Sequence, residues 1–378
     1  MNKQSSSRHL QRIDVLRAFA ILMVVCFHFL PSVTGQYEFA WNGIWRDARE
    51  VQTPLMWFLY PLTLGWSGVS LFFVISGFCI HYSFLKHEAG SPGKPFLKQF
   101  FWKRFWRIYP PYFITLVFFF FLMFRHPETG PTAGNFWLHL LLVHNFSAVA
   151  FIGINPAFWS LAVEMQFYLL FPLVLMLRHK VGIKNTFWFF AAVSLACRIA
   201  ALFLQDWSQP PVLHLWDFTL TLFVDWLLGA WLAEKWLAGQ RLLGASPSKA
   251  LLLGILVVAL SWNKITAAFL GFTAFSLWYA MMMELYLFST KPFGGWEKML
   301  VPVGLCSYSI YLWHQPLLGR VLNWLHKFGL PQSPIANLAV LPLVVLAMVA
   351  LGFISYKLIE LPGINLGKRL YLKCCPVK

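Results

Sequence analysis

Charged residues are scarce in this sequence. Only 12% of its 378 residues are Asp, Glu, Lys or Arg, whereas 59% are hydrophobic, and the mean hydropathy is +0.63. Because soluble globular proteins carry about 25% charged residues, this composition excludes an ordinary soluble protein. It predicts an all-α, polytopic integral membrane protein without a sizeable soluble domain.

The chain also lacks a disulfide framework, low-complexity linkers and internal repeats. Its six cysteines fall in apolar runs or in the basic C-terminal tail. A cleavable signal peptide is not expected, because Asp14 and Arg17 interrupt the first apolar run. We therefore expect a single membrane domain over residues 1–378, with a core at 13–362 and a basic cytoplasmic tail at 363–378.

Apolar runs dominate what is present. They lie at residues 13–31, 61–83, 109–124, 158–177, 186–204, 217–234, 250–262, 266–288, 300–321 and 335–356. If the N-terminus is inside, most Lys and Arg residues fall in the inner segments, which is the positive-inside bias. We expect about ten transmembrane helices with both termini in the cytoplasm, in the inner (plasma) membrane if the source is bacterial.

The net charge of +16 is then a topology signal rather than a sign of a nucleic-acid partner, and membrane lipids are the expected surroundings.

Residues 135–151 form another apolar stretch. Counting it as an eleventh span would place the basic residues at 178–184 outside and reverse the bias, so we interpret it as a re-entrant or interfacial segment on the outer side.

Arg17 and His28 are ionisable residues inside the first apolar run. An ionisable side chain at that depth is costly, so it usually faces a polar cavity and has a function. Eleven residues rise roughly 16 Å along a helix and return to within about 20° of the same face. Asp14 lies on that stripe too and is placed to pair with Arg17.

Arg104 and Arg107 lie three residues apart in an amphipathic inner segment before the third run. Two guanidinium groups on one helix face suit a phosphate group. The alternative is plain attraction to anionic lipid headgroups. The sequence alone leaves both interpretations open.

Three further polar positions lie in later runs. Glu164 follows Ser160 on a helical stripe and either binds substrate hydroxyls or holds neighbouring helices together. Tyr311 and His314 share a face in the run at 300–321, where a histidine is often only an interhelical bridge. Glu360, near the inner basic segments, is expected to make a structural salt bridge.

Three other acidic residues in or beside the apolar runs, Asp217, Asp225 and Glu284, are expected to join helices rather than to act in catalysis.

The order and spacing of these motifs resemble the acyltransferase-3 superfamily of integral membrane O-acyltransferases. The resemblance rests on R-x10-H in the first run, GVSLFFVISGF in the second, and R-x-x-R before the third. WSLAVEMQFYLLFP, SYSIYLWH and a closing E-x-P follow in the family order. Each motif is weak alone, whereas the ordered set covers residues 13 to about 362 and is specific.

This resemblance implies a membrane-embedded enzyme that moves an acyl group, most simply acetyl, from acyl-CoA to a hydroxyl of a sugar, glycan or lipid-linked acceptor. Arg104 and Arg107 would hold CoA phosphates, and Arg17 would guide the pantetheine arm. His28 would be the general base or transiently the acyl carrier, with Glu164 or His314 orienting the acceptor. The acyl donor would be a substrate, with no permanently bound cofactor and no metal.

Two other functions use the same residue types. Buried Asp, Glu, Arg and His also mark the ion pathways of proton-coupled transporters, and a flippase or scaffold could share the fold. A transporter more often has paired halves with broken helices, which this sequence lacks.

Acceptor specificity is expected to reside in the outer segments 32–60 and 135–155.

Overall fold

The computed structural model describes residues 3–47, 54–91, 96–124, 132–208 and 212–374. In chain order, its helices and its one β-hairpin are α1 (Lys3–Phe29), α2 (Pro31–Thr34), β1 (Trp41–Asn42), β2 (Trp45–Arg46), α3 (Leu55–Phe58), α4 (Tyr60–Thr63), α5 (Gly68–Gly90), α6 (Leu97–Phe124), α7 (Ala133–Leu140), α8 (Phe158–Leu204), α9 (Leu213–Trp216), α10 (Thr219–Leu237), α11 (Pro247–Leu260), α12 (Lys264–Leu287), α13 (Gly295–Leu305), α14 (Ser307–Lys327), α15 (Pro334–Ser355) and α16 (Leu361–Cys374).

Helices carry every predicted apolar run, so the all-α prediction is confirmed. Among the described residues, six helical segments are long and apolar enough to cross a membrane: Gln11–Thr34, Gly65–Gly90, Leu97–Met123, Phe158–Leu204, Lys264–Leu287 and Pro334–Lys373. The protein is therefore an integral, multi-pass membrane protein. The count of ten spans and the cytoplasmic placement of the termini stay predictions.

Two predicted spans, 158–177 and 186–204, meet in α8. The 47 residues of α8 would be about 70 Å long if straight, roughly twice the thickness of a hydrocarbon core. Gly182 interrupts the helix with a φ of 81° and a ψ of 159°, a backbone conformation open to glycine alone. The inner loop predicted at 178–184 is thus replaced by a break at one residue.

The chain divides into two compact units. The first comprises Met1–Lys86 and Leu169–Leu305, and the second comprises His87–Tyr168 and Cys306–Lys378. The predicted single-domain organisation stays a prediction.

In the first unit, small residues set the distances between helices. A Cβ added at Gly77 would lie 1.8 Å from the carbonyl oxygen of Trp226, and one at Gly229 would lie 2.0 Å from that of Val74. These two glycines let the backbones of α5 and α10 touch. Gly304 of α13 approaches α1 in the same way, since its Cβ would lie 1.8 Å from the carbonyl oxygen of Asp14. The α5–α10 contact adjoins a hydrophobic core that also includes α1 and α12.

In the second unit, α6 packs against α16. Trp102 of α6 donates its indole N–H to the carbonyl oxygen of Gly367 at 2.7 Å. Most of the segment predicted as a basic tail is therefore a helix anchored to α6. Residues 375–378 lie outside the described residues.

Residues 135–151 form no membrane span. They contain the end of α7, a turn in which Leu142 has a φ of 56°, and a single 3-10 turn at His144–Phe146. Because a span needs about 20 helical residues, the prediction that this segment is not an eleventh span is confirmed. Its position on the outer side stays a prediction.

Candidate active site

The polar stripe predicted on the first helix is present in α1, within the first unit. Arg17 donates from Nη1 to Oδ1 of Asp14 at 2.8 Å, one helical turn earlier. Its Nη2 lies 3.4 Å from the sulfur of Cys79 on α5. The side chains of Arg17 and Asp14 are 21% and 13% exposed, so the guanidinium is held in place yet still accessible.

His28 lies near the other end of α1, half-buried. Its Nδ1 is 2.9 Å from the carbonyl oxygen of Val24, which can only accept a hydrogen bond. In the neutral imidazole Nδ1 therefore carries the proton, and Nε2 presents the lone pair. This is the tautomer that a general base needs. The rings of Phe27 and Tyr37 lie 5.2 Å and 6.1 Å from the imidazole, centroid to centroid.

The connection after α1 carries many of the residues expected to contact an acceptor. The hairpin of β1 and β2 is joined to the turn before α12, because the Lys264 amide donates to the carbonyl oxygen of Ile44 at 2.7 Å. The guanidinium of Arg46 stacks on the Trp41 ring at 4.1 Å. Trp45 and Trp57 remain more than half exposed. The braced hairpin therefore presents the ring of Trp45, and α3 presents the ring of Trp57.

Arg104 and Arg107, in the second unit, make different contacts. The Arg104 guanidinium lies over the rings of Phe100 and Tyr168, at 5.9 Å and 5.6 Å. Arg107 Nε lies 3.6 Å from Oε1 of Glu360. The Glu360 side chain is fully buried, whereas that of Arg107 is 37% exposed, so the pair joins a buried carboxylate to a guanidinium that water still reaches.

The ion pair expected of Glu360 is thus made with Arg107. A π-helical turn, Tyr356–Glu360, carries this glutamate between α15 and α16. Ser309 of α14 donates its hydroxyl to Oε2 of Glu360 at 2.8 Å. Turns of this kind interrupt helices frequently at functional sites, and here the turn coincides with the closing E-x-P motif.

Glu164 is linked to Arg104 through one aromatic side chain. The hydroxyl of Tyr168 donates to Oε1 of Glu164 at 2.5 Å, and the Tyr168 ring faces the Arg104 guanidinium. The predicted polar stripe on this helix is therefore formed. Within the second unit, Tyr168 thus connects Glu164, which is expected to orient the acceptor, to Arg104, which is expected to bind a phosphate of the donor.

Tyr311 and His314 face other partners in the same unit. Tyr311 donates to the carbonyl oxygen of Ala157 at 2.8 Å, and its oxygen lies 2.6 Å from the hydroxyl of Ser160. His314 is fully buried, and its Nδ1 donates to the carbonyl oxygen of Tyr311 at 2.8 Å. Tyr311 joins α14 to the start of α8, which agrees with the supporting role expected for it.

His139 and His144, in the segment where acceptor contacts were expected, are not exposed to an acceptor. Their rings stack at 3.9 Å with an angle of 5° between planes, and both residues are 0% exposed. Burial lowers the pKa of His139 to about 4. Burial, with the neighbouring His139, lowers the pKa of His144 to about 2. Both imidazoles are neutral at pH 7, and their rings pack against each other.

Sequence reasoning missed an ionic cluster in the first unit. Nε2 of His81 lies 2.8 Å from Oε1 of Glu234, and the same carboxylate oxygen pairs with Arg178. The signal was available, since His81 and Glu234 are ionisable residues within apolar helices. Their proximity depends on how α5, α8 and α10 pack, which no local pattern specifies.

Comparison with known proteins adds to this geometry. The profile of the acyltransferase domain matches residues 10–357. O-acetyltransferase OatA of Staphylococcus aureus (strain NCTC 8325 / PS 47) is 27% identical over an alignment of 394 positions, gaps included. The alignment covers 96% of this chain and 58% of that protein. Acyltransferase MdmB of Streptomyces mycarofaciens is 30% identical over 182 residues, 44% of each chain. Peptidoglycan O-acetyltransferase OatA of Listeria monocytogenes is 28% identical over 195 residues, covering 48% of this chain and 26% of that protein.

No solved structure matches the chain significantly. The chain spans 58% of the length of the staphylococcal relative. The family profile, by contrast, covers nearly all of the chain, from residue 10, four residues before Asp14, to residue 357, at the start of the π-helical turn. The chain belongs to the acyltransferase-3 family of membrane proteins.

Proposed function

We propose that the protein is an O-acyltransferase that takes an acyl group, most simply acetyl, from acyl-CoA and passes it to a hydroxyl of a carbohydrate or lipid-linked glycan. The single observation that carries this proposal is the 2.9 Å contact between Nδ1 of His28 and the carbonyl oxygen of Val24. Its Nδ1 donates to the carbonyl oxygen of Val24, so its Nε2 is the basic nitrogen.

The proposed chemistry needs one base and one path for the proton. Nε2 of His28 removes the proton of the acceptor hydroxyl while the oxygen attacks the thioester carbonyl. The carbon–sulfur bond then breaks, and the departing thiolate takes the proton from the imidazolium. The products are the acyl ester and the free thiol of CoA, and His28 returns to its neutral form. A transient acyl-imidazole would use the same nitrogen.

Arg17 supports the choice of an extended thioester as donor. It lies on the same helix face as His28, roughly 16 Å away along α1, which is comparable with an extended pantetheine arm. Its guanidinium is oriented by Asp14 and remains partly accessible. We assign Arg17 to the pantetheine arm, and Arg104 and Arg107 to the phosphates of CoA.

The carbohydrate acceptor is inferred from chemistry and from the relatives. The exposed rings of Trp45 in the hairpin and Trp57 in α3 suit the apolar faces of sugars, and Glu164 suits their hydroxyls. One relative is named a peptidoglycan O-acetyltransferase. We therefore propose Glu164 or His314 as the group that orients the acceptor hydroxyl.

The test uses full-length protein in proteoliposomes with acetyl-labelled acetyl-CoA outside and peptidoglycan-derived oligosaccharides on either side. We expect label to become ester-linked to the oligosaccharide with wild-type protein and not with His28→Gln. His326→Gln, which changes a histidine bonded to Asn337, is the matched control and retains transfer. Movement of a small molecule across the membrane without ester formation would instead favour a proton-coupled transporter or flippase.

A further inference from the structure

Tyr37 packs against His28 at the outer end of the polar stripe. The two ring centroids are 6.1 Å apart and the planes meet at 82°, an edge-to-face arrangement. The Tyr37 ring also lies 5.1 Å from Phe27. The imidazole is thus held in an aromatic corner made by its own helix and by the segment that follows it.

A specific turn places Tyr37 there. The short helix α2 ends at Gly35, whose φ is 79° and whose amide donates to the carbonyl oxygen of Pro31. This left-handed residue reverses the chain, and glycine takes up the conformation without steric cost. The hydroxyl of Thr34 bridges the turn, donating to the carbonyl oxygens of Leu30 and Gln36 at 3.1 Å and 2.8 Å. Tyr37 therefore occupies a built position rather than a loose one.

The surroundings of the two rings differ. His28 is half-buried in α1, whereas Tyr37 is 42% exposed and lies between Gln36 and Glu38. Polar neighbours on both sides place Tyr37 at an aqueous edge rather than in hydrocarbon. The Tyr37 ring thus packs against the imidazole on one side and meets that edge on the other.

We infer that Tyr37 is a positioning residue that screens His28 from water, so that the acyl group passes to an acceptor hydroxyl and not to water. This inference rests on the proposed function. A base able to deprotonate a sugar hydroxyl deprotonates water equally well, so an acyltransferase must exclude water from its base. The aromatic ring, and not the phenol hydroxyl, provides the screen.

Removing the screen opens a defined side reaction. Water loses a proton to Nε2 of His28 and adds to the thioester carbonyl, and the carbon–sulfur bond breaks. The thiolate takes the proton from the imidazolium, and the acetic acid formed ionises in solution. The net products are acetate, a proton and the free thiol of CoA, with no co-reactant other than water.

The experiment measures release of the CoA thiol from acetyl-CoA by purified full-length protein with no acceptor present. We expect Tyr37→Ala to release thiol about tenfold faster than wild type, and Tyr37→Phe to match wild type. The double variant His28→Gln with Tyr37→Ala should lose this release. Trp188→Ala, which removes an exposed aromatic ring from α8, is the matched control and should release thiol at the wild-type rate.

Binding of acetyl-CoA and the monodisperse elution of each variant show whether the fold is retained. Unchanged thiol release by Tyr37→Ala would overturn the inference, even if label transfer to oligosaccharides still requires His28. Faster release that persists in the double variant would overturn it too, because the reaction would not involve His28. A separate outcome is that transfer of label to oligosaccharides by the wild-type protein does not depend on His28. That outcome would contradict the proposed function rather than the role of Tyr37.

Discussion

Nδ1 of His28 donates to the carbonyl oxygen of Val24 at 2.9 Å, so the helix that carries the imidazole also sets its tautomer. The same helix holds Arg17 against Asp14 at 2.8 Å. A proposed donor contact and a proposed base are therefore oriented by residues one turn away on α1, before any substrate binds. Such preorganisation is what acyl transfer requires.

The ion pair of Asp14 and Arg17 leads us to expect an effect of Asp14 on the binding of the acyl donor. Asp14→Asn keeps the shape of the side chain and removes its charge, so Arg17 loses its orientation. Because the pair is partly exposed, we expect the KM for acetyl-CoA to rise about fivefold with a smaller change in kcat. Asp14→Glu should restore part of the loss. A fall in kcat at unchanged KM would contradict this role.

The close approach of α5 and α10 at Gly77 and Gly229 leads us to expect that a larger side chain at either position destabilises the protein. Alanine at either position forces a Cβ to within about 2 Å of a backbone oxygen, and backbone does not move aside as a flexible side chain does. We expect about 3 kcal/mol of destabilisation for each substitution, measured by thermal unfolding in detergent. Gly319→Ala is the control. Gly319 lies in α14 with open space around it, so alanine there should be neutral or stabilising.

Glu284 is expected to keep the segment between α10 and α11 ordered. Its carboxylate accepts backbone hydrogen bonds from Leu242 at 2.5 Å, Leu243 at 2.9 Å and Ala245 at 2.8 Å. Glu284→Gln removes the negative charge and replaces one acceptor oxygen with a donor, at a cost of about 2 kcal/mol or more. We expect faster tryptic cleavage after Arg241. Cleavage after Arg320, in the other unit, should not change, and equal rates at Arg241 would contradict this role.

The stacked pair of His139 and His144 predicts sensitivity to acid. Burial lowers the pKa values of these imidazoles to about 4 and about 2, below the ~6.5 of an unfolded chain. The unfolded state therefore takes up protons first, and stability falls as the pH decreases below about 6.5. Each imidazole contributes about 2 kcal/mol of loss by about pH 5. Thermal unfolding should show this loss, and His144→Phe should reduce it by half; an unchanged pH dependence would contradict the assignment.

Features carried on one helix could be predicted from the sequence. The spacing of Asp14, Arg17 and His28 is a property of α-helical geometry, so the stripe and its ion pair follow from position alone. The hydrophobic runs fall on helices for a similar reason, since a backbone in hydrocarbon must satisfy its own hydrogen bonds. The ordered motifs then identified the family.

Features that depend on packing could not be predicted. The sulfur of Cys79 beside Arg17, and the ring of Tyr37 beside His28, depend on the crossing of helices and on one left-handed glycine turn. Glu284 was expected to join helices, whereas it holds the backbone of the segment after α10. The carboxylate was correctly recognised as structural, but its partners are amides, which carry no sequence signature.

The role of His28 as base is tested most directly by a comparison of binding and chemistry in His28→Gln. Glutamine offers a hydrogen-bond donor and acceptor of similar reach but no base near neutral pH. We predict that the affinity for acetyl-CoA stays within about twofold of wild type, while single-turnover transfer to a glycan acceptor falls by at least about 100-fold. Transfer by His28→Gln at a rate close to wild type would contradict the account.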